Sequence, residues 1–165
     1  MVIVIMGVSG AGKTTVGSRL AAKLNWTFRD GDEFHPPANV SKMASGTPLT
    51  DEDRWPWLEA IHAYLVATLE GGGAAVVACS ALKEEYRRRL SNGVAGVRFV
   101  HLSGTPELLA QRMAARKDHF MPPGLLGSQL ATLEAPSDAL VVNISLSPDQ
   151  LVDEIIRRLE IPHGF

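Results

Sequence analysis

The chain has 165 residues, 45% of them hydrophobic and 21% charged, which is a globular composition with enough length for one domain and a substantial core. Lys and Arg total 16 against 18 Asp and Glu, so the net charge is −2 and no basic excess points to nucleic acid or to an anionic membrane surface. Cys79 is the lone cysteine, which excludes an internal disulfide, and no run approaches the ~20 apolar residues of a membrane span, so a soluble cytoplasmic protein is expected.

The first element is an apolar, β-branched run, Val2 to Met6, which reads as a buried strand. Directly after it stands Gly7-Val8-Ser9-Gly10-Ala11-Gly12-Lys13-Thr14-Thr15, a complete Walker A loop. Its glycines let the backbone curl so that N–H groups point inward at phosphates. Lys13 is placed to reach the β- and γ-phosphates and Thr14 to offer its hydroxyl to Mg²⁺. The helix that follows, with Val16, Leu20, Ala21 and Leu24 on one face, presents its positive end to the same anion. Strand, loop and helix in this order predict a nucleoside triphosphate site.

A second short strand, Thr27 to Arg29, leads into Asp30-Gly31-Asp32. In extended backbone residues i and i+2 point to one side, so both carboxylates are expected at the phosphate end of the sheet. One would support Mg²⁺ through water and the other orient an attacking hydroxyl. Residues 35–50 carry Pro36, Pro37, Gly46 and Pro48 and read as an irregular substrate-binding stretch, part of a substrate segment over about 35–70. Thr50 before Asp51-Glu52-Asp53 is a capping box that opens the next helix, in which Trp55 and Trp57 read as packing.

The strand Ala74 to Cys79 ends without the aspartate of a usual Walker B, which leaves Mg²⁺ to Thr14, phosphates and water, with Asp30 in support. Ser80 at its end is within reach of that water shell. A helix beginning near Lys83 contains Arg87-Arg88-Arg89, which reads as a solvated face. After a strand over Val97 to Leu102, Thr105-Pro106-Glu107 starts a helix with proline at its first position. Arg112 and Arg116 lie four apart on that helix, followed by Lys117 and His119. They precede a Pro/Gly-rich stretch, so residues 116–128 are expected to form a lid whose cations stabilise a transferring phosphoryl group. A last strand, Leu140 to Asn143, and a helix opened by Ser147-Pro148-Asp149-Gln150 complete the alternation. The whole predicts an α/β fold, a three-layer α/β/α sandwich on a five-stranded parallel sheet, as a single domain over residues 1–165. No Asn-Lys-x-Asp sequence selects guanine, which disfavours a GTPase switch.

The residues then resemble a known family. Asp30-Gly31-Asp32-Glu33-Phe34-His35-Pro36, Asn39-Val40-Ser41-Lys42-Met43-Ala44-Ser45-Gly46-Thr47-Pro48-Leu49, Asp51, Asp53-Arg54 and Trp57-Leu58 are similar to gluconate kinases, as are Cys79-Ser80-Ala81-Leu82-Lys83, Tyr86-Arg87, Arg116-Lys117-Asp118-His119-Phe120-Met121, Leu125-Leu126 and Ser128-Gln129-Leu130-Ala131-Thr132-Leu133-Glu134. The resemblance runs over essentially the whole chain, and Asp118 departs from the glycine usual in the lid motif. It implies ATP-dependent phosphorylation of D-gluconate to 6-phosphogluconate, feeding the pentose phosphate route. It also implies a nucleoside-monophosphate-kinase fold related to shikimate and adenylate kinases, a mobile lid and often a homodimer. By similarity to shikimate kinases, Asp30 falls on the Mg²⁺ side and Asp32 where the acceptor hydroxyl is held. Arg116 with Arg112 is expected at the phosphoryl group or the nucleotide. Arg54, Lys83 and Arg87 are expected at the gluconate carboxylate, and His35, His119 and Gln129 at the acceptor. A kinase of the same fold for another small hydroxy acid, such as shikimate, and a regulator that uses ATP as a switch are the alternatives.

Overall fold

The structure, a computed structural model, describes residues 1–115 and 125–162. Five strands, β1 (Val2–Met6), β2 (Thr27–Asp30), β3 (Ala75–Ala78), β4 (Val97–Ser103) and β5 (Leu140–Asn143), form one sheet in the order β2-β3-β1-β4-β5. Every pairing is parallel. Helices α1 (Lys13–Leu24), α2 (Pro37–Ala44), α3 (Asp51–Glu70), α4 (Glu84–Ser91), α5 (Pro106–Ala115), α6 (Leu125–Thr132) and α7 (Pro148–Arg158) connect them.

Central strands of a doubly covered sheet must be apolar on both faces, and β1 and β3 are buried along their whole length. Their side chains alternate between two cores. Ile3, Ile5 and Val76 pack with Leu20 of α1 and with Leu151 and Ile155 of α7. Val2, Val4, Met6 and Val77 pack with Leu58, Ile61 and Leu65 of α3 and with Leu90 of α4. Each such aliphatic side chain contributes ~1.5–3 kcal/mol when fully buried. The three-layer sandwich read from the sequence is therefore the observed fold.

The register decides where the site falls. Ile5 of β1 and Asp30 of β2 both pair with Ala78 of β3, so three strands end level with one another. The Walker A loop, the Asp30-Gly31-Asp32 stretch and the Cys79–Lys83 turn thus leave the sheet side by side, at the carboxyl ends where open α/β sheets bind ligands.

Two local expectations are corrected, and the end of the expected lid stretch is found to run into a helix. Asp30 ends β2, but residues 31–34 form a 3₁₀ turn, not extended chain, with Asp30 as its N-cap. The 35–50 stretch is not irregular throughout, because Pro37 sits in the first turn of α2, where its missing N–H is harmless. The 116–128 stretch ends in helix α6, whose first residues are Leu125 to Ser128.

Candidate functional site

At the tip of β1 the loop closes around a cavity of about 450 Å³, lined by Ser9, Gly10, Gly12, Lys13, Thr14, Asp30, Asp32, Ser80 and Gln129. Gly12 has φ 92, in the left-handed region, and turns the chain into α1 without a side chain to clash. Lys13 donates from Nζ to the Val8 carbonyl at 3.1 Å, which holds the ammonium over the loop. Gly7, Ala11 and Thr15 complete the loop, with Ala11 fully buried and Thr15 exposed on the first turn of α1.

Gly31 is required by close approach: a Cβ there would lie 2.6 Å from the Ala78 carbonyl oxygen. That contact sets β2 tight against β3 and brings the two aspartates to the loop. Thr14 Oγ1 donates to Asp30 Oδ2 at 3.1 Å, and Asp30 Oδ1 accepts from the Asp32 amide at 3.0 Å. Asp32 is turned outward, its side chain 83% exposed at the cavity.

A hydroxyl and a carboxylate side by side are hard oxygen donors. Among the described residues no group of three His, Cys, Asp or Glu side chains is placed to hold a metal ion by itself. A cation here needs oxygens from a bound phosphate and water, the coordination habit of Mg²⁺. The donor set fits that ion. Cys79, also on the cavity wall, is a neutral packing group, because burial pushes its thiol up to about 12.

A second cluster forms where the start of α3 meets the turn before α4. Tyr86 donates its hydroxyl to Asp51 Oδ1 at 2.5 Å, and the same oxygen lies 3.5 Å from Lys83 Nζ and 3.8 Å from Arg54 Nη1. The Tyr86 hydrogen bond, aided by Lys83 and Arg54, holds the Asp51 carboxyl below its ordinary value. Arg54 and Lys83, both expected at an acceptor carboxylate, are thus brought together on an internal counter-ion. Asp51, read from the sequence as a helix-start acid and part of the family resemblance but given no role at the site, is the residue that gathers them.

Arg87 is placed elsewhere. It is 6% exposed, so neither the solvated face nor a substrate contact describes it. Its guanidinium donates to the carbonyls of Ala81 at 2.7 Å, Leu82 at 3.1 Å and Glu134 at 2.7 Å. Ala81 has φ 47, a left-handed conformation that strains a residue with a Cβ, and Arg87 fastens it. Gln129 is likewise engaged with protein. Its Oε1 accepts from the Ser9 amide at 2.6 Å and its Nε2 donates to Ser9 Oγ at 3.0 Å, tying α6 to the phosphate loop.

Arg112 donates to the Ile144 carbonyl and lines a cavity of about 210 Å³ on the outer side of the loop, with Gly10, Gly12, Thr15 and Pro148. His35 Nε2 lies 3.9 Å from Asp32 Oδ1. Arg116 and His119 lie outside the described residues, as do residues 116–124 of the expected lid.

Comparison with known proteins gives this site a family. A sequence model described as shikimate kinase matches residues 9–160. A gluconokinase of Gluconobacter oxydans is 48% identical over 161 residues, covering 96% of this chain and 90% of that protein. The chain belongs to the gluconokinase family. A solved gluconokinase of Sinorhizobium meliloti has the same fold at a TM-score of 0.86 and 44% identity, covering 96% of this chain and 90% of that one. The shikimate kinase of Aquifex aeolicus, at 21% identity and a TM-score of 0.63 over 97% of this chain and 96% of its own, shares the fold alone. Membership of the gluconokinase family makes the protein a kinase and confirms the resemblance read from its motifs.

Proposed function

We propose that the protein transfers the γ-phosphoryl group of ATP to the 6-hydroxyl of D-gluconate, giving 6-phospho-D-gluconate and ADP. The observation that carries this reading is one cavity that joins a Walker A loop to the Asp30–Asp32 pair, in a chain 48% identical to a gluconokinase. The loop amides and Lys13 bind the triphosphate, and Thr14 with Asp30 holds Mg²⁺. When bound, the ion neutralises charge on the phosphate oxygens.

Asp32 orients the acceptor hydroxyl and takes its proton as the new P–O bond forms. A primary alcohol is too weak an acid to ionise beforehand, and in a loose transition state the proton leaves late. Arg54 and Lys83 attract the gluconate carboxylate, which an anionic acceptor requires. Gln129 orders the loop through Ser9 and takes no direct part with the acceptor. Arg112 flanks the nucleotide from outside the loop, while Arg116 and His119, on a lid over about residues 116–128, complete the phosphoryl site. A homodimer in the cytoplasm belongs to this reading through the resemblance. Among the described residues no helix is long and apolar enough to cross a membrane.

ADP release measured against a panel of hydroxy acids tests the proposal. Gluconate is expected to give a kcat/KM at least ~10²-fold above shikimate, the discrimination expected when buried polar groups are left unpaired by the wrong acceptor. Turnover without acceptor that no acid stimulates favours the nucleotide switch instead.

A further inference from the structure

The side chain of Asn39, in α2, is buried between two acceptors. Its Nδ2 lies 2.8 Å from the Asp53 carbonyl oxygen and 3.2 Å from His35 Nδ1, and the residue is 2% exposed. A backbone carbonyl can only accept, so the amide must turn its NH₂ group toward Asp53. The second amide hydrogen then points at His35 Nδ1, which must carry its lone pair. The single proton of a neutral imidazole is left on Nε2, the nitrogen 3.9 Å from Asp32 Oδ1.

The ring has no freedom to escape this arrangement. It stacks on Trp57 with centroids 4.4 Å apart and planes 12° apart, and its side chain is 4% exposed. Trp57 is itself anchored, donating Nε1 to the carbonyl of Gly31, between the two aspartates, at 2.8 Å. The charged groups around the ring are Asp32 from the 3₁₀ turn and Arg54 from α3. The Asp53 carboxylate is engaged separately by Lys42 of α2 at 2.7 Å. Burial, with Arg54 in support, outweighs Asp32 and holds the imidazole below the ordinary histidine value, which keeps it neutral.

We propose that His35, locked by Asn39 as the Nε2–H tautomer, is a positioning residue for Asp32: it donates to Oδ1 and sets the orientation of the carboxylate toward the acceptor hydroxyl. The proposal rests on the role given to Asp32 above. At 3.9 Å the contact is longer than a hydrogen bond, and it tightens when the acceptor draws the carboxylate into line. This differs from the expectation that His35 reads a gluconate hydroxyl, since Nδ1 is occupied and Nε2 faces protein.

Steady-state kinetics on the full chain tests it with His35→Leu, His35→Gln, Asp32→Asn and the His35→Leu/Asp32→Asn double variant. His35→Leu is expected to lower kcat about ten- to a hundredfold, the effect of losing a hydrogen bond to a charged group, with KM for gluconate and ATP within about twofold. His35→Gln, whose amide reaches the Nε2 position, restores most of the rate. In the Asp32→Asn background His35→Leu costs nothing further, because the two act as one unit. Equal losses in both backgrounds, or a raised KM for gluconate with kcat intact, overturn the proposal. Should His35→Leu not fold, His35→Gln against His35→Asn decides it: equal rates overturn the proposal, and a slow Asn variant beside an active Gln variant sustains it. Near-normal turnover of Asp32→Asn alone instead removes the role of Asp32, a failure distinct from that of His35.

Discussion

Asp30 and Asp32 are two positions apart and held in opposite ways. Both oxygens of Asp30 are engaged, one by the Thr14 hydroxyl and one by the Asp32 amide, while the Asp32 side chain is 83% exposed at the cavity. A carboxylate fastened to the loop suits a cation site, and one turned toward an acceptor suits proton transfer. Asp32→Asn is therefore expected to keep the fold and nucleotide binding while turnover falls ~10²-fold or more, the range for a lost acid/base group. Asp30→Asn is expected to raise the Mg²⁺ concentration needed for half-maximal rate. Magnesium titrations of both variants check this, and the opposite pattern reverses the two roles. The type and spacing of these residues were legible in the sequence, but their orientations were not. Asp30 caps a 3₁₀ turn whose amide contacts depend on Gly31 packing against the Ala78 carbonyl, a contact between strands far apart in the chain.

Helix α4 shows why a basic run cannot be read from charge alone. Arg88 and Arg89 pair with Glu84 and Glu85 one turn earlier, as a surface helix should, while Arg87 between them turns inward. Glu134, just past α6, completes the clamp. Its amide donates to the Leu82 carbonyl at 2.8 Å, and its Oε1 accepts from the Glu84 amide at 2.8 Å, capping α4 in place of a local side chain. With Gln129 on Ser9 at the other end, α6 braces the phosphate loop against the turn that carries Lys83. Arg87→Ala strands the carbonyls of Ala81 and Glu134, each costing ~1–3 kcal/mol if left unmet, while the Leu82 carbonyl keeps the Glu134 amide. We expect a melting temperature lower by about 6–12 °C, from roughly 3 kcal/mol at 2–4 °C per kcal/mol for a chain of this size. A scanning calorimetry trace within ~2 °C of the native protein contradicts the clamp. Helices α2 and α6 escaped the sequence reading because their prolines, glycines and small residues carry little apolar periodicity. Asn39 is the only residue of α2 that is buried.

At the level of the whole molecule, the parallel sheet, its helices and the phosphate loop were legible because their signals are local: β-branched runs, capping boxes and fixed glycine spacing. The acceptor side was legible only as a set of polar residues. Asp51 and Arg54 of α3 lie 29 to 35 residues from Lys83 and Tyr86 at the start of α4, and only the packing of α3 on α4 makes them one cluster. That cluster and the phosphate loop are the two halves of a kinase for an anionic acceptor. Phosphoryl transfer to gluconate is tested most directly by ³¹P NMR of the protein with ATP, Mg²⁺ and D-gluconate. It predicts ADP and one new phosphomonoester in equal amounts, the phosphorus coupled to the two protons on C6 of gluconate. Hydrolysis of ATP to inorganic phosphate, or a phosphoester on another carbon, contradicts it.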